Sequence, residues 1–502
     1  MIKRRDDPNR KGPIIQTEQP HTWSIDGRCR HDWGLKDFWG LALKEVWDIT
    51  WSNDAMMGAH IWQWADTQLA DPGIGTIRPE PGNAGALVGL DAEYGMENLL
   101  KGKKPATIYG NTKGIVNANR TLLKPEFWHV KMTYSPVVVG AGSFDAASRV
   151  VEVTITNRYS FTDLSELNCR WEALAAGKIL ATGKHVVACP PRSGTRTRFP
   201  MTPGMEVLRL EFTEGTGRMI YAARINRAGY VPVAPASIPE TRGAVTCVEK
   251  DGQIHMGMGK SELVLDKSTG RLCLWKSTTG ELPVKGPILT LGESIAPRGG
   301  YVMSSGDIEL RQVNVQVAET NGAAVVTVRG DVYVARGQAP IGLFTYVLKP
   351  QRDGDVALEW SLEWKGAEVM AWELGVKFLL PGTFNALSWA RQGQWSEYPA
   401  DHVGALEGRV RHGDVSFQSV KRDAYWAVLS NDPAYGLALM RGDSTLHARS
   451  YLENVHTTFY ALSAQGTPPV GCWANLLSAT HDISLKSGVV RRGALTLRWV
   501  NQ

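Results

Sequence analysis

The amino-acid sequence predicts a multidomain, mostly β chain with an α/β section at its start and two β-sandwich sections after it. Three observations predict this. Apolar residues recur at helical spacing within the first 134 residues and at a spacing of two from about Ser135 onward. The chain has 502 residues, whereas domains usually run to about 100–200 residues, so several are expected. The stretch VPVAPASIPETRG, Val231 to Gly243, contains three prolines and reads as a linker between the two all-β sections. The expected boundaries are 1–134, 135–234 and 235–502.

In the first section, PIIQT (Pro13 to Thr17) is a short apolar run of strand type. A helical face follows, in which Leu35, Phe38, Trp39, Ala42, Leu43 and Val46 recur at i, i+3, i+4, i+7, i+8 and i+11. The run MMGAHIWQW (Met56 to Trp64) then reads as a strand buried on both faces, as in a parallel sheet covered by helices. Strand, helix, strand is the βαβ order of an α/β fold. The Gly- and Pro-rich stretch from Asp71 to Gly85 is a long loop. In the second section Val151, Val153 and Ile155 alternate with polar residues, as do Leu208, Leu210 and Phe212, which is the pattern of half-buried antiparallel strands. About 100 residues of such strands fit an immunoglobulin-like sandwich. In the third section Val356 to Trp364 and Leu495 to Trp499 alternate strictly, and ELVLDKSTGRLCLW (Glu262 to Trp275) reads as a hairpin turning at Ser268, Thr269 and Gly270. So much strand without a helical interruption predicts a large β-sandwich.

Composition excludes several classes. Hydrophobic residues make up 43%, charged residues 21%, and the net charge is +5, an ordinary globular balance rather than that of a disordered or nucleic-acid-coating chain. No run of 18 apolar residues occurs, so a membrane-spanning helix is not expected. The start MIKRRDDPNRKGPIIQ lacks the apolar core of a secretory signal, and a cytoplasmic location is the default expectation, the compartment being otherwise open. The six cysteines are scattered without a CxxC pair, which predicts free, mostly buried thiols. Tryptophan is in excess: 18, against 14 Tyr and 11 Phe. Flat indole rings suit either dense packing or the stacking of sugars.

The chemistry-bearing piece is PIIQTEQPH, a strand ending in Glu18 with His21 three residues on. Strand ends at the C-terminal face of a (β/α)₈ barrel carry catalytic groups, so a carboxylate here would face a cleft. The second strand delivers Trp62 and Trp64 at the same end, giving a carboxylate, an imidazole and indoles suited to a sugar-binding wall. A Glu and a His three apart also arise by chance, and the two Trp read equally well as core.

Taken together, Glu-x-x-His, the Trp-rich helix, GAHIWQWAD, KGIVNANRT and KPEFWHVKMTYSPVVV resemble the end of the catalytic barrel of glycoside hydrolase family 2, the β-galactosidase type. The resemblance spans about Lys11 to Val139, and ARQGQWSEYP (Ala390 to Pro399) resembles a motif of the family's last domain. It implies a partial (β/α)₈ barrel, its last strands and helices, followed by an immunoglobulin-like sandwich and a large β-supersandwich. It further implies a retaining exo-β-glycosidase acting on terminal β-galactosides, with Glu18 as nucleophile and with His21 and Trp62 contacting the sugar. Asp66 matches a recurrent acidic position, better read as a loop or helix cap. Two departures stand out. Lys113 replaces the Asn that helps hold sodium in such enzymes, and Asn119 replaces the usual Asp of an Asp-Arg pair. Family members often use magnesium and sodium, but most of the ligands are missing from this sequence, so no cofactor is expected from it.

The chemistry needs a second carboxyl about 5–5.5 Å from the nucleophile. The family supplies it from an Asn-Glu dipeptide, and none occurs here. A whole barrel also takes about 250 residues. Three accounts are therefore open: a half-enzyme subunit that works with an N-terminal partner or as part of a longer chain, an inactive fragment, or a non-catalytic carbohydrate-binding or assembly protein. Another family 2 specificity, β-glucuronide or β-mannoside hydrolysis, is the alternative enzyme. The expected partners are a β-galactoside and the N-terminal half, in a homo- or hetero-oligomer, with neither nucleic acid nor membrane.

Overall fold

The computed structural model describes residues 12–20, 37–65, 67–68, 110–111, 114–116, 120, 123, 125–237, 244–293, 308–320, 323–334, 337–393, 395, 397–398, 405–411, 421–431, 435–442, 446–452, 470–477 and 483–501. The first section begins with strand β1 (Ile14–Gln19), helix α1 (Asp37–Trp51) and strand β2 (Met56–Ile61), with β1 and β2 parallel. Two short strands, β3 (Thr67–Gln68) and β4 (Gly110–Asn111), pair antiparallel, and helix α2 (Pro125–Thr133) closes the section. Helix α1 packs its predicted stripe inward: Trp39 and Leu43 are buried against Ile115 and Val116, with Phe127 and Val130 of α2 beside them. Leu35, and the side chain of Phe38, lie outside the described residues.

Strand β2 is not buried on both faces as its apolar run suggested. Met57 is 71% exposed, and Ile15 of β1, in register with the neighbouring Gly58, is 48% exposed. Among the described residues β1 and β2 form a sheet of two strands, so the helices cover one face and nothing covers the other. The register slips here too: Ile14 pairs with Met56 but Ile15 with Gly58, leaving Met57 as an unpaired bulge. Gly58 takes φ +148 at that bulge, a conformation that a side chain disfavours.

The second section is a seven-stranded sandwich. One sheet holds β5 (Val137–Asp145), β6 (Val150–Asn157) and β9 (Gly194–Pro200); the other runs β11–β10–β7–β8, with β7 Asn168–Ala175, β8 Lys178–His185, β10 Val207–Thr213 and β11 Met219–Asn226. The predicted alternation is the packing: Val151, Val153 and Ile155 of one sheet and Leu208, Leu210 and Phe212 of the other share one core. Asp163 caps the 3₁₀ turn at Leu164–Glu166 with a capping box.

From Val245 onward, 18 strands form one hydrogen-bonded network among the described residues, around a single large core. The predicted hairpin is present: Ser261–Asp266 pairs antiparallel with Arg271–Ser277, and Asp266 accepts hydrogen bonds from Ser268 and Thr269 in the turn. Arg498 fixes the first half of the linker. It forks onto Asp355 at 2.8 and 2.7 Å and donates to the Pro235 carbonyl at 2.8 Å.

The tryptophan excess has a structural explanation in the β sections. Trp171, Trp360 and Trp389 each sit in register opposite a glycine on the neighbouring strand, Gly183, Gly493 and Gly408 respectively. Each indole lies flat over the bare backbone: a Cβ at Gly408 would come 2.3 Å from the Trp389 ring. Trp275 and Trp499 are fully buried, and Tyr435 stacks on Trp499 at 5.0 Å. Cys169 and Cys189 are free and buried, and Cys247 and Cys273 are free and partly buried. No helix among the described residues is long and apolar enough to cross a membrane.

Candidate functional site

The parallel pairing of β1 and β2 brings their C-terminal ends together. Gln19 is in register with Ile61, and the Trp62 amide donates to the Gln19 carbonyl at 3.1 Å. Glu18, the penultimate residue of β1, and Trp62, the first residue beyond β2, thus lie at one edge of the sheet. Glu18 is exposed, while Gln19 beside it is fully buried. Trp62 is 36% and Trp64 58% exposed, so the reading of both as core does not hold. The peptides Gln19–Pro20 and Trp62–Gln63, one at each strand end, are cis. His21 and Asp66 lie outside the described residues, as do Lys113 and Asn119.

The segment after β2 is held from below. Ile115 donates to the carbonyls of Gln63 and Trp64, and Val116 forms a parallel bridge with Ala65. Both residues are buried at 3% and 2% exposure, so the Gly-Ile-Val piece singled out in the sequence is the core under the Trp62–Ala65 strand end. The Tyr134 phenol at the end of α2 is raised by burial, and Gln19 draws it back in part.

Sequence reasoning missed how the third section is tied to the other two. The segment Arg391–Tyr398, which the sequence marked only as a motif, leaves the large β network and inserts Trp395 into the sandwich core, at 6% exposure. The Trp395 indole Nε1–H donates to Nδ1 of the fully buried His129 on α2 at 2.9 Å. Glu397 reaches Arg209 of β10 at 3.3 Å and Arg224 of β11 at 3.8 Å, and Arg209 also holds the buried Glu172 at 3.1 Å. Burial raises the Glu397 carboxyl above its ordinary value, outweighing the pull of Arg209 and Arg224. On the other side, Asp48 of α1 accepts from Lys44 and from Arg158 beyond β6, the latter at 2.8 Å. Burial pushes Asp48 up, but these two cations hold it below the usual value.

Among the described residues no group of three or more His, Cys, Asp or Glu is arranged to hold a metal.

Residues 153–218, the heart of the sandwich, match the protein family described as beta-galactosidase, domain 4. The chain thus carries a β-galactosidase-like domain within a mostly β architecture. No curated protein matches it. Of the solved structures it resembles, galactose 1-epimerase from Lactobacillus acidophilus NCFM shares 9% identity over 51% of this chain and 98% of its own, with a TM-score of 0.34. A copper-containing benzylamine oxidase from Hansenula polymorpha shares 10% identity over 82% of this chain and 91% of its own, with a TM-score of 0.29. At such scores neither transfers a fold or an activity.

Proposed function

We infer that this chain is the C-terminal portion of a retaining exo-β-glycosidase of β-galactosidase type, with Glu18 as its nucleophile. The carrying observation is order along the chain. A parallel strand pair, with Glu18 of the Glu-x-x-His motif at the end of its first strand, precedes a sandwich that matches β-galactosidase domain 4. In this reading β1 and β2 are the last two strands of a (β/α)₈ barrel. The remaining strands come from sequence upstream in a longer chain or from an N-terminal partner. The face around Ile15 and Met57 and the outer edges of β1 and β2, open among the described residues, are what such strands would occupy.

The Glu18 carboxylate attacks the anomeric carbon of a terminal β-galactoside. The carbon–oxygen bond to the aglycone breaks as a general acid outside this sequence protonates the leaving oxygen, and a glycosyl ester on Glu18 forms. Water, deprotonated by the same group, then releases the sugar with retention of configuration. Trp62 offers an exposed indole face for the sugar ring and His21 a hydrogen bond to a hydroxyl.

The test is to produce the chain together with its N-terminal complement and measure aryl-β-galactoside hydrolysis. Glu18→Gln is expected to lower kcat on the order of 10⁴-fold or more, while leaving the two parts associated. A 2-deoxy-2-fluorogalactoside is expected to add its sugar mass to the peptide containing Glu18. Labelling of another carboxylate, or full activity in Glu18→Gln, would remove the assignment.

A further inference from the structure

The register of β1 against β2 changes at the candidate nucleophile. Gln16 pairs with Ala59 and Gln19 with Ile61, so Thr17 and Glu18 together stand opposite one residue, His60. Two residues against one make a β-bulge, which re-aims side chains. Strict alternation would send residues three apart to opposite faces of the sheet. Here Gln16 and Gln19 both turn toward the helices: Gln19 is fully buried, and the Gln16 side-chain oxygen is buried as well. Thr17 and Glu18 are left exposed on the face that is open among the described residues. The Gln16 amide closes the bulge by donating to the Glu18 carbonyl at 3.3 Å.

His60 belongs to that open face too. Its neighbour Ile61 packs against the core of Trp39, Leu43, Ile115 and Val116, so alternation turns the His60 side chain the other way, where it is exposed. Trp62, two residues on and also exposed, follows it toward the strand end. Adjacent strands run about 5 Å apart. Glu18 and His60 therefore stand side by side in one layer, with Trp62 one step above them.

On the glycosidase reading, on which this inference rests, that layer decides what the imidazole touches. The Glu18 carboxylate has to reach the anomeric carbon. An imidazole whose strand lies about 5 Å away meets first the groups attached beside that carbon, the ring oxygen and the 2-hydroxyl. The ring oxygen becomes electron-poor in the oxocarbenium-like transition state and is then a poor acceptor, whereas hydrogen bonds to the 2-hydroxyl strengthen there. Imidazole offers one donor and one acceptor nitrogen, which fits a hydroxyl in either sense.

We propose that His60 is a specificity-determining residue of the sugar site, binding the 2-hydroxyl of the terminal sugar beside Glu18. It is a second imidazole, distinct from His21 of the Glu-x-x-His motif, and it comes from the neighbouring strand. The bulge is what brings it level with the carboxylate.

The experiment measures kcat and KM for an aryl β-galactoside and its 2-deoxy analogue, with the chain produced together with its N-terminal complement. Removing the 2-hydroxyl is expected to lower kcat/KM about tenfold more in the natural chain than in His60→Phe, the margin of one hydrogen bond. His60→Gln, which can still bond a hydroxyl, is expected to keep the natural discrimination. The 3-, 4- and 6-deoxy analogues are expected to lose the same factor in all three proteins. On the unaltered protein, galactose is expected to shield His60 from diethyl pyrocarbonate more than 2-deoxygalactose does at equal occupancy, a readout that stands even where a variant fails to fold. Equal 2-deoxy discrimination in the natural chain and His60→Phe, coupling of His60 to a different hydroxyl, or equal shielding by the two sugars would each overturn the assignment. No hydrolysis by the natural chain with its complement would remove the glycosidase reading and this inference with it, whereas hydrolysis with unaltered discrimination removes the role of His60 alone.

Discussion

Replacing Trp395 by Phe tests whether the third section is energetically coupled to helix α2. The substitution keeps an aromatic ring in the sandwich core and removes the Nε1–H that reaches His129 at 2.9 Å. Both partners are buried, so water does not replace the bond. The net hydrogen bond is worth about 1 kcal/mol, and the orphaned acceptor costs about 1–3 kcal/mol more. Contracting indole to phenyl adds about 1 kcal/mol of lost packing. The expected loss is therefore about 3–5 kcal/mol in the unfolding transition that includes the sandwich. The assay is urea unfolding followed by far-ultraviolet circular dichroism, in a double-mutant cycle with His129→Leu. Each single variant strands one buried partner, whereas the double variant strands neither, so its cost is expected to fall short of the sum by about 2 kcal/mol. Additivity to within about 0.5 kcal/mol would refute the coupling through this bond.

Four further outcomes are expected. Gly408→Ala, whose Cβ would stand 2.3 Å from the Trp389 ring, is expected to destabilise the large β section by about 1–3 kcal/mol, read from its urea midpoint; an unchanged midpoint would contradict the Gly–Trp packing. Tyr346→Phe removes a buried phenol that has no hydrogen-bond partner among the described residues, and is expected to be neutral or stabilising by about 1 kcal/mol in the same measurement. Glu397 has its folded pKa raised by burial above the ordinary 4.5. The stability this contributes is full below 4.5 and is lost as pH rises through the folded value, so the advantage of the natural chain over Glu397→Gln is expected to shrink from pH 4 to pH 7 in unfolding titrations. An advantage that grows with pH would show the arginine pairs to dominate. Burial pushes the Cys169 thiol up to about 12, so iodoacetamide is expected to spare it in the folded chain and to modify it only in denaturant, as peptide mapping would show.

The order of sections and the type of most elements were legible in the sequence, because side-chain period is set by local geometry. A spacing of two at Val151–Ile155 and at Val356–Trp364 became strands with the expected faces inward, and the Trp39–Leu43 stripe became the buried face of α1. Glu18 and Trp62 were legible as candidates for a related reason: residues that end consecutive parallel strands share one edge of the sheet. Burial of those strands was not legible. An apolar run such as Met56–Ile61 records what a strand is suited to touch, and here Met57 has no neighbour on its outer face among the described residues. Nor could any pattern show that Trp395 crosses to His129, 266 positions away, or that Arg158, Arg224 and Arg391 meet around one cavity. Such contacts join residues on different sections, and only the packed chain decides which of them come within reach. The amino-acid sequence alone determined the local periods, the strand-end carboxylate and the succession of sections; tertiary structure decided which faces are covered, which charges are buried and where the three sections lock together.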